Sequence, residues 1–238
     1  MKYDLVIIGA TAAALGLAKT VESSLSTLIV NKTEMVAYEF VHTFRQPEVY
    51  AQGAIYHKAF KELKADVLLG TEIAGMTRGK EGSYVLELYN TAGFQTVEAA
   101  RLVNTTAEAP EVQLQSKSLN ALLIQQQGKP VPEVEWEAFS LVPEAKNHAY
   151  STAILKLACS EKETVAEARH RLVETWLSRP EALGEWKIAA IAFAFEATIE
   201  KKEVHAEDSH IHLISTAYAG PEESQTAGIQ LGRSLLAC

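Results

Sequence analysis

The stretch DLVIIGATAAALGLAKTVESSLSTLIVN, residues 4–31, decides how this chain is read. Leu5–Ile8 is a continuous apolar run with three β-branched residues, the pattern of a strand buried on both faces of a parallel sheet. Gly9 breaks it. Thr11–Glu22 then carries Leu15, Ala18 and Val21 at a spacing of three, with Ala12–Ala14 alongside, which predicts a helix with a small-residue face. Thr27–Val30 is a second buried strand. Strand, glycine turn, Ala-rich helix and strand make a βαβ unit, whose crossover is expected to be right-handed.

Beyond this unit, residues 31–52 are irregular and carry several aromatics. Gly53–Lys64 predicts a helix and Asp66–Leu69 a strand. Glu72–Arg78, Tyr84–Tyr89 and Phe94–Ala99 are short alternating stretches separated by turn residues, the pattern of a meander. Arg101–Thr105 is another apolar strand. Composition shifts near residue 110, where Gln and Ser become frequent. Strands are expected at Leu122–Gln126, Val134–Phe139, Ala153–Leu157 and Ile188–Phe195. Ser160 and Glu163 have the spacing of a capping box ahead of a helix that Pro180 ends. His205–His210 reads as a polar loop, Ile211–Ser215 as a strand and Gly228–Leu236 as a final helix.

The 238 residues carry 30 acids against 22 bases, a net charge of −8. That balance argues against binding a nucleic-acid backbone or an anionic lipid surface. No apolar run is long enough for a membrane span. Two cysteines, Cys159 and Cys238, make no disulfide framework, and a cytoplasmic location is expected.

The βαβ unit resembles the FAD-binding entry of the glutathione-reductase-like flavoprotein oxidoreductases. Three further pieces resemble that family in order and spacing. Val103–Ala107 resembles the strand ending in an Ala-Thr-Gly turn, and residues 72–99 stand where the family has a three-stranded crossover. Ile211–Ala217 followed by Gly228–Arg233 resembles the strand ending in Gly-Asp and the helix beside the flavin. The resemblance implies an α/β fold: a three-layer FAD/NAD(P)-binding Rossmann-like domain over residues 1–109 and 205–238. It implies a smaller inserted α+β domain at 110–204 that holds a small-molecule substrate.

The resemblance also implies the cofactor-contacting positions, and this chain departs from the family at five of them. Gly9, Ala10, Thr11 and Ala14 align with Gly-x-Gly-x-x-Gly; the first glycine is kept, the second is Thr11 and the third Ala14. The ribose-binding acid after the second strand is Asn31, the later turn glycine is Ala107, and the Gly-Asp pair is Ser215-Thr216, ahead of Gly228. Three readings follow: an FAD-dependent oxidoreductase, a non-catalytic flavoprotein-like binding or partner protein that has lost FAD, and an NADP-binding protein with Lys32 on the 2′-phosphate. Thr11 is expected to crowd a pyrophosphate, and Asn31→Glu to restore a ribose contact.

Tyr38, His42, Arg45 and Tyr50 lie where the family runs beside the flavin, and His42 is the candidate for a cofactor contact. An ordinary loop with anchored aromatics explains the same residues. His205, Asp208, His210 and His212 have metal-ligand chemistry, but a polar loop entering a strand accounts for them. Cys159 stands before the expected helix start, where a thiolate is stabilised, with no general base near it in sequence. No Gly-x-Ser-x-Gly elbow is present, so a hydrolase triad has no support.

Overall fold

In the computed structural model the described residues are 1–45, 52–79, 82–107, 113–126, 129–134, 136, 139–146, 150–207 and 209–237. They form two compact units. The first takes in Met1–Tyr38, Gln52–Gln113 and Ile199–Cys238; the second takes in Glu39–Ala51 and Leu114–Thr198.

The first unit is built on β1 (Lys2–Ile8), β2 (Thr27–Val30), β3 (Asp66–Leu68), β6 (Gly93–Asn104), β12 (Glu203–Glu207) and β13 (His210–Leu213), in the order β12-β13-β6-β1-β2-β3. All pairs from β13 to β3 are parallel. Leu5, Val6 and Ile7 are wholly buried, as is the whole of β2, which is why these runs lack polar alternation. β4 (Glu72–Arg78) and β5 (Tyr84–Asn90) form an antiparallel meander on β6. The expected strands at 94–99 and 101–105 are one strand, β6: its first half pairs with β5 and its second half with β1 and β13. Residues 205–210 are not a loop throughout. β12 occupies 203–207 and pairs antiparallel with β13.

Two helices complete this unit's core. α1 (Ala12–Val21) buries its small-residue face. α5 (Pro221–Ala237) starts seven residues before the expected helix. It packs with backbone against backbone: a Cβ at Gly228 would fall on the Ala13 carbonyl oxygen, and one at Gly16 on the Gln225 carbonyl oxygen. Here glycine is needed for close approach, not for an unusual dihedral. α3 (Gly53–Lys61) lies between β2 and β3 in the chain, and the short α2 is Tyr38–Val41.

The second unit is an antiparallel sheet of β7 (Leu114–Gln126), β8 (Phe139–Lys146), β9 (Tyr150–Ala158) and β10 (Lys187–Ile191) in the order β10-β7-β9-β8, with β11 (Glu196–Ile199) also on β7. Leu119, Ala121 and Leu123 on β7 and Ala153, Leu155 and Leu157 on β9 are wholly buried and share one core with Ala168, Leu172 and Trp176 of α4 (Val165–Leu177). The capping box of α4 is Thr164 with Glu167; at the expected pair the Ser160 amide also donates to the Glu163 carboxylate at 3.2 Å, but the helix starts only at Val165. Of the strand expected at Val134–Phe139, Trp136 forms an isolated bridge to Phe139, which opens β8, and residues 135, 137 and 138 lie outside the described residues. Among the described residues, no helix is long and apolar enough to cross a membrane.

Candidate functional site at the end of β1

The order β13-β6-β1-β2-β3 gives the first unit a topological switch point. From β1 the chain crosses to β2 on one side, while β6 lies on the other. In open α/β sheets ligands bind at the carboxyl ends of the strands flanking such a point. Here those ends are Gly9–Thr11 after β1 and Thr105–Thr106 after β6, with Ile8 in register with Asn104. Gly9 has φ +95°, a value that L side chains rarely adopt, and its amide donates to the Val30 carbonyl. A Cβ there would meet Thr106 Cγ2 at 2.5 Å and Thr105 Oγ1 at 2.8 Å, so nothing larger than glycine fits the turn.

Thr11 is the N-cap of α1. Its hydroxyl accepts from the Ala14 amide at 3.1 Å and donates to Thr105 Oγ1 at 2.8 Å. The Thr105 hydroxyl donates in turn to the Ile8 carbonyl at 2.8 Å. From the other side, Ser215 Oγ accepts from the Ala13 amide at 3.5 Å and lies 2.6 Å from Ser224 Oγ on α5. The Ser215 amide donates to the Thr105 carbonyl, which ties the turn after β13 to the end of β6. Asn31 supplies the third side. Its carbonyl oxygen accepts from the Ala10 amide at 3.0 Å, and its amide nitrogen donates to the carbonyls of Thr33 and Met35 at 2.8 and 2.9 Å. The Ala37 amide donates to the Ala10 carbonyl, and Ala37 itself has φ +50°. Residues 10–14, Ser215 and Ser224 are all 0% exposed.

The sequence-predicted residues thus fall into three groups. Gly9, Ala10, Thr11, Ala14, Asn31 and Ser215 come together around the first turn of α1. Thr216 is buried beside Ser215, Ala107 follows Thr106, and Gly228 serves the α1–α5 contact. Lys32 points away from this group: it is exposed and pairs with Glu72 at 3.2 Å. His42 belongs to the second unit, where its carbonyl accepts from the Phe193 amide and its ring meets Phe193 edge-on. Tyr50, Asp208 and Cys238 lie outside the described residues. His210 and His212 are buried with ring centroids 4.5 Å apart, and among the described residues no three metal-ligating side chains cluster. Thr105 and Ser224 were not singled out in the sequence. The parallel register of β1 and β6 is the signal that places Thr105 opposite the turn; nothing local marks Ser224.

Cys159 is not poised as a thiolate. Burial pushes its thiol up, the Glu163 charge adds to this, and the first helical residue is six positions further on.

An FAD pyrophosphate would need the amides of the first turn of α1 and an open approach at position 11. The residues present do not offer these as folded. The amides of Ala10, Ala13 and Ala14 already have side-chain acceptors, and the turn is shut from solvent.

No family model matches the chain, and no curated protein matches it in sequence. Solved structures match it in fold. The p-nitrophenol 4-monooxygenase PnpA from Pseudomonas putida DLL-E4 is 11% identical with a TM-score of 0.59; the match covers 98% of this chain and 79% of PnpA. BexE, from BE-7585A biosynthesis, is 15% identical with a TM-score of 0.61, over 99% of this chain and 62% of its own. Aklavinone-11 hydroxylase, solved in a ternary complex with FAD and aklavinone, is 11% identical with a TM-score of 0.59, over 99% and 62%. The chain therefore shares the α/β fold of these three structures, one of them solved with FAD, and spans about three fifths of the length of two of the three.

Proposed function

We propose that this chain is an FAD-dependent oxidoreductase-like protein acting on a small molecule in the cytoplasm. The observation that carries this reading is the likeness of its fold, over nearly its whole length, to hydroxylases of which one was solved with FAD and its substrate. In this reading Gly9–Ala14, Asn31, Ala107 and Ser215-Thr216 border the dinucleotide, and the second unit supplies the substrate surface. A bound flavin would supply hydride chemistry, and the first turn of α1 would have to give up its side-chain acceptors to hold it. In the NADP alternative, Lys32 would exchange its exposed ion pair with Glu72 for the 2′-phosphate.

A second reading, a non-catalytic binding or partner protein that has lost FAD, is favoured by one observation: the amides at the entry are satisfied by Thr11, Asn31 and Ser215. The test is a visible spectrum of the purified protein before and after incubation with FAD and gel filtration. A flavin band that travels with the protein supports the first reading. A colourless protein after incubation overturns it in favour of the second.

A further inference from the structure

Three of the departures from the flavin fingerprint, Thr11, Asn31 and Ser215, organise two linked hydrogen-bond chains and one bracket. In the first chain the Ala14 amide donates to the Thr11 hydroxyl, that hydroxyl to Thr105, and the Thr105 hydroxyl to the Ile8 carbonyl. The chain ends on the strand from which the turn departs, with the Gly9 carbonyl a second, longer acceptor for the Thr105 hydroxyl at 3.2 Å. In the second, the Ala13 amide meets Ser215, whose hydroxyl lies against Ser224. The bracket is Asn31, holding the Ala10 amide on one side and the loop carbonyls of Thr33 and Met35 on the other. Two neutral hydroxyls, that of the N-cap Thr11 and that of Ser215 from the turn after β13, take the acceptor places that two phosphate oxygens would fill at a helix N-terminus.

We infer that these side chains form a clasp that closes the dinucleotide entry, so that a pyrophosphate reaches the first turn of α1 only by displacing Thr11 and Ser215. This rests on the reading of the turn as a dinucleotide entry. The sequence expectation was that Thr11 obstructs by bulk. The structure gives it a different role: the hydroxyl occupies the amide, and the methyl faces Gly9, where a Cβ would meet Thr11 Cγ2 at 3.2 Å. An entering phosphate must leave two buried hydroxyls to find new partners, which makes binding to the closed form weak.

The experiment compares the wild type with Thr11→Gly/Ser215→Gly, using two readouts on the ligand-free and FAD-titrated proteins. Amide exchange at Ala13 and Ala14 is followed by NMR, and FAD and inorganic pyrophosphate are titrated by calorimetry. The expected result is protected amides and an FAD Kd in the micromolar range or weaker for the wild type. The double variant is expected to exchange at least about tenfold faster at both amides and to bind FAD at least about tenfold more tightly. Nanomolar FAD binding by the wild type overturns the clasp and leaves the oxidoreductase reading standing. Faster exchange in the variant with no binding of FAD or pyrophosphate overturns the inference together with the dinucleotide reading on which it rests, leaving these side chains as caps of the helix alone. Unchanged exchange in a folded variant overturns the clasp. Should the double variant not fold, Ser224→Ala is the milder probe. It is expected to speed exchange at Ala13 and leave Ala14, held by Thr11, as it was; an unchanged Ala13 amide overturns the inference.

Discussion

Gly228→Ala tests the helix pair on which the closed entry depends. Gly228 lies one turn after Ser224 on α5, and its Cα faces the backbone of α1. An added Cβ would fall on the Ala13 carbonyl oxygen and come within 2.8 Å of the Leu17 nitrogen. Both are backbone atoms inside a helix, so no side chain can swing aside and the helices must separate. Overpacking of this kind costs about 3 kcal/mol, the upper end of its usual range. Alanine returns about 1 kcal/mol through its better helix propensity. The net is about 2 kcal/mol of destabilisation, which corresponds to amide exchange about 30-fold faster along α1 wherever exchange requires the pair to open. Hydrogen exchange by mass spectrometry over 12–21 and 221–237 is the assay. Tryptophan fluorescence is a poor one, because Trp136, Trp176 and Trp186 all belong to the second unit. Gln230→Ala, at an exposed position of the same helix, is the control and is expected to change little. Exchange equal to or slower than wild type in Gly228→Ala would refute the backbone contact between α1 and α5.

Asn31→Leu is expected to cost about 2–3 kcal/mol, measured by urea unfolding, because it leaves the buried Ala10 amide and two loop carbonyls without their partner. Asn31→Glu is expected to destabilise as well, and not to tighten FAD binding, since a carboxylate cannot donate to the carbonyls of Thr33 and Met35; a tighter calorimetric Kd would contradict this. Hydrogen bonds from the Ser26 hydroxyl and amide hold the Asp4 carboxyl below its ordinary range. A depressed carboxylate stabilises the fold above the unfolded pKa, about 3.9, and that contribution is lost as pH falls through the lower folded value. The stability gap between wild type and Asp4→Asn is therefore expected to be constant above about pH 5 and to shrink below about pH 4, read from thermal melts across that range. In a Cys238→Ser background, Cys159 is expected to react with a disulfide reagent near pH 7.5 more slowly than free cysteine, because burial raises its thiol; a rate above that of free cysteine would contradict the geometry around it.

The parallel core was legible because Leu5–Ile7 of β1 and the whole of β2 are buried and their side chains record it as runs rich in β-branched residues without polar alternation. β6 was not legible as one strand. Its first half pairs in a meander and its second half in the parallel sheet, so its hydrophobic pattern changes midway with no turn residue to explain the change. β12 was hidden for the opposite reason: Glu203–Glu207 is polar, as an edge strand can be when it has one neighbour. Ser160/Glu163 and Thr164/Glu167 both satisfy the capping-box pattern and both form the backward bond to the first residue's amide, so the pattern alone did not tell that the helix starts after the second of them. At the site, the departures were visible as single residues but their partners were not, since Thr11 and Thr105 are 94 positions apart and Ala13 and Ser215 are 202.

Those partners bear on how the departures should be understood. Glycine and acid positions lost without compensation leave backbone amides at a helix N-terminus that must turn to water or be buried unpaired, and buried unpaired amides are rare and costly. Around this turn the losses are matched. A hydroxyl stands where the second glycine was and caps Ala14, an amide stands where the ribose acid was and holds Ala10, and a serine stands at the glycine of the Gly-Asp pair and meets Ala13. Each replacement also has its own buried partner, in Thr105, in the carbonyls of Thr33 and Met35, and in Ser224. Restoring one fingerprint residue alone therefore breaks a satisfied pair before it rebuilds a contact. That is why single reversions at positions 11, 31 or 215 are expected to lower stability more surely than they raise affinity for a dinucleotide.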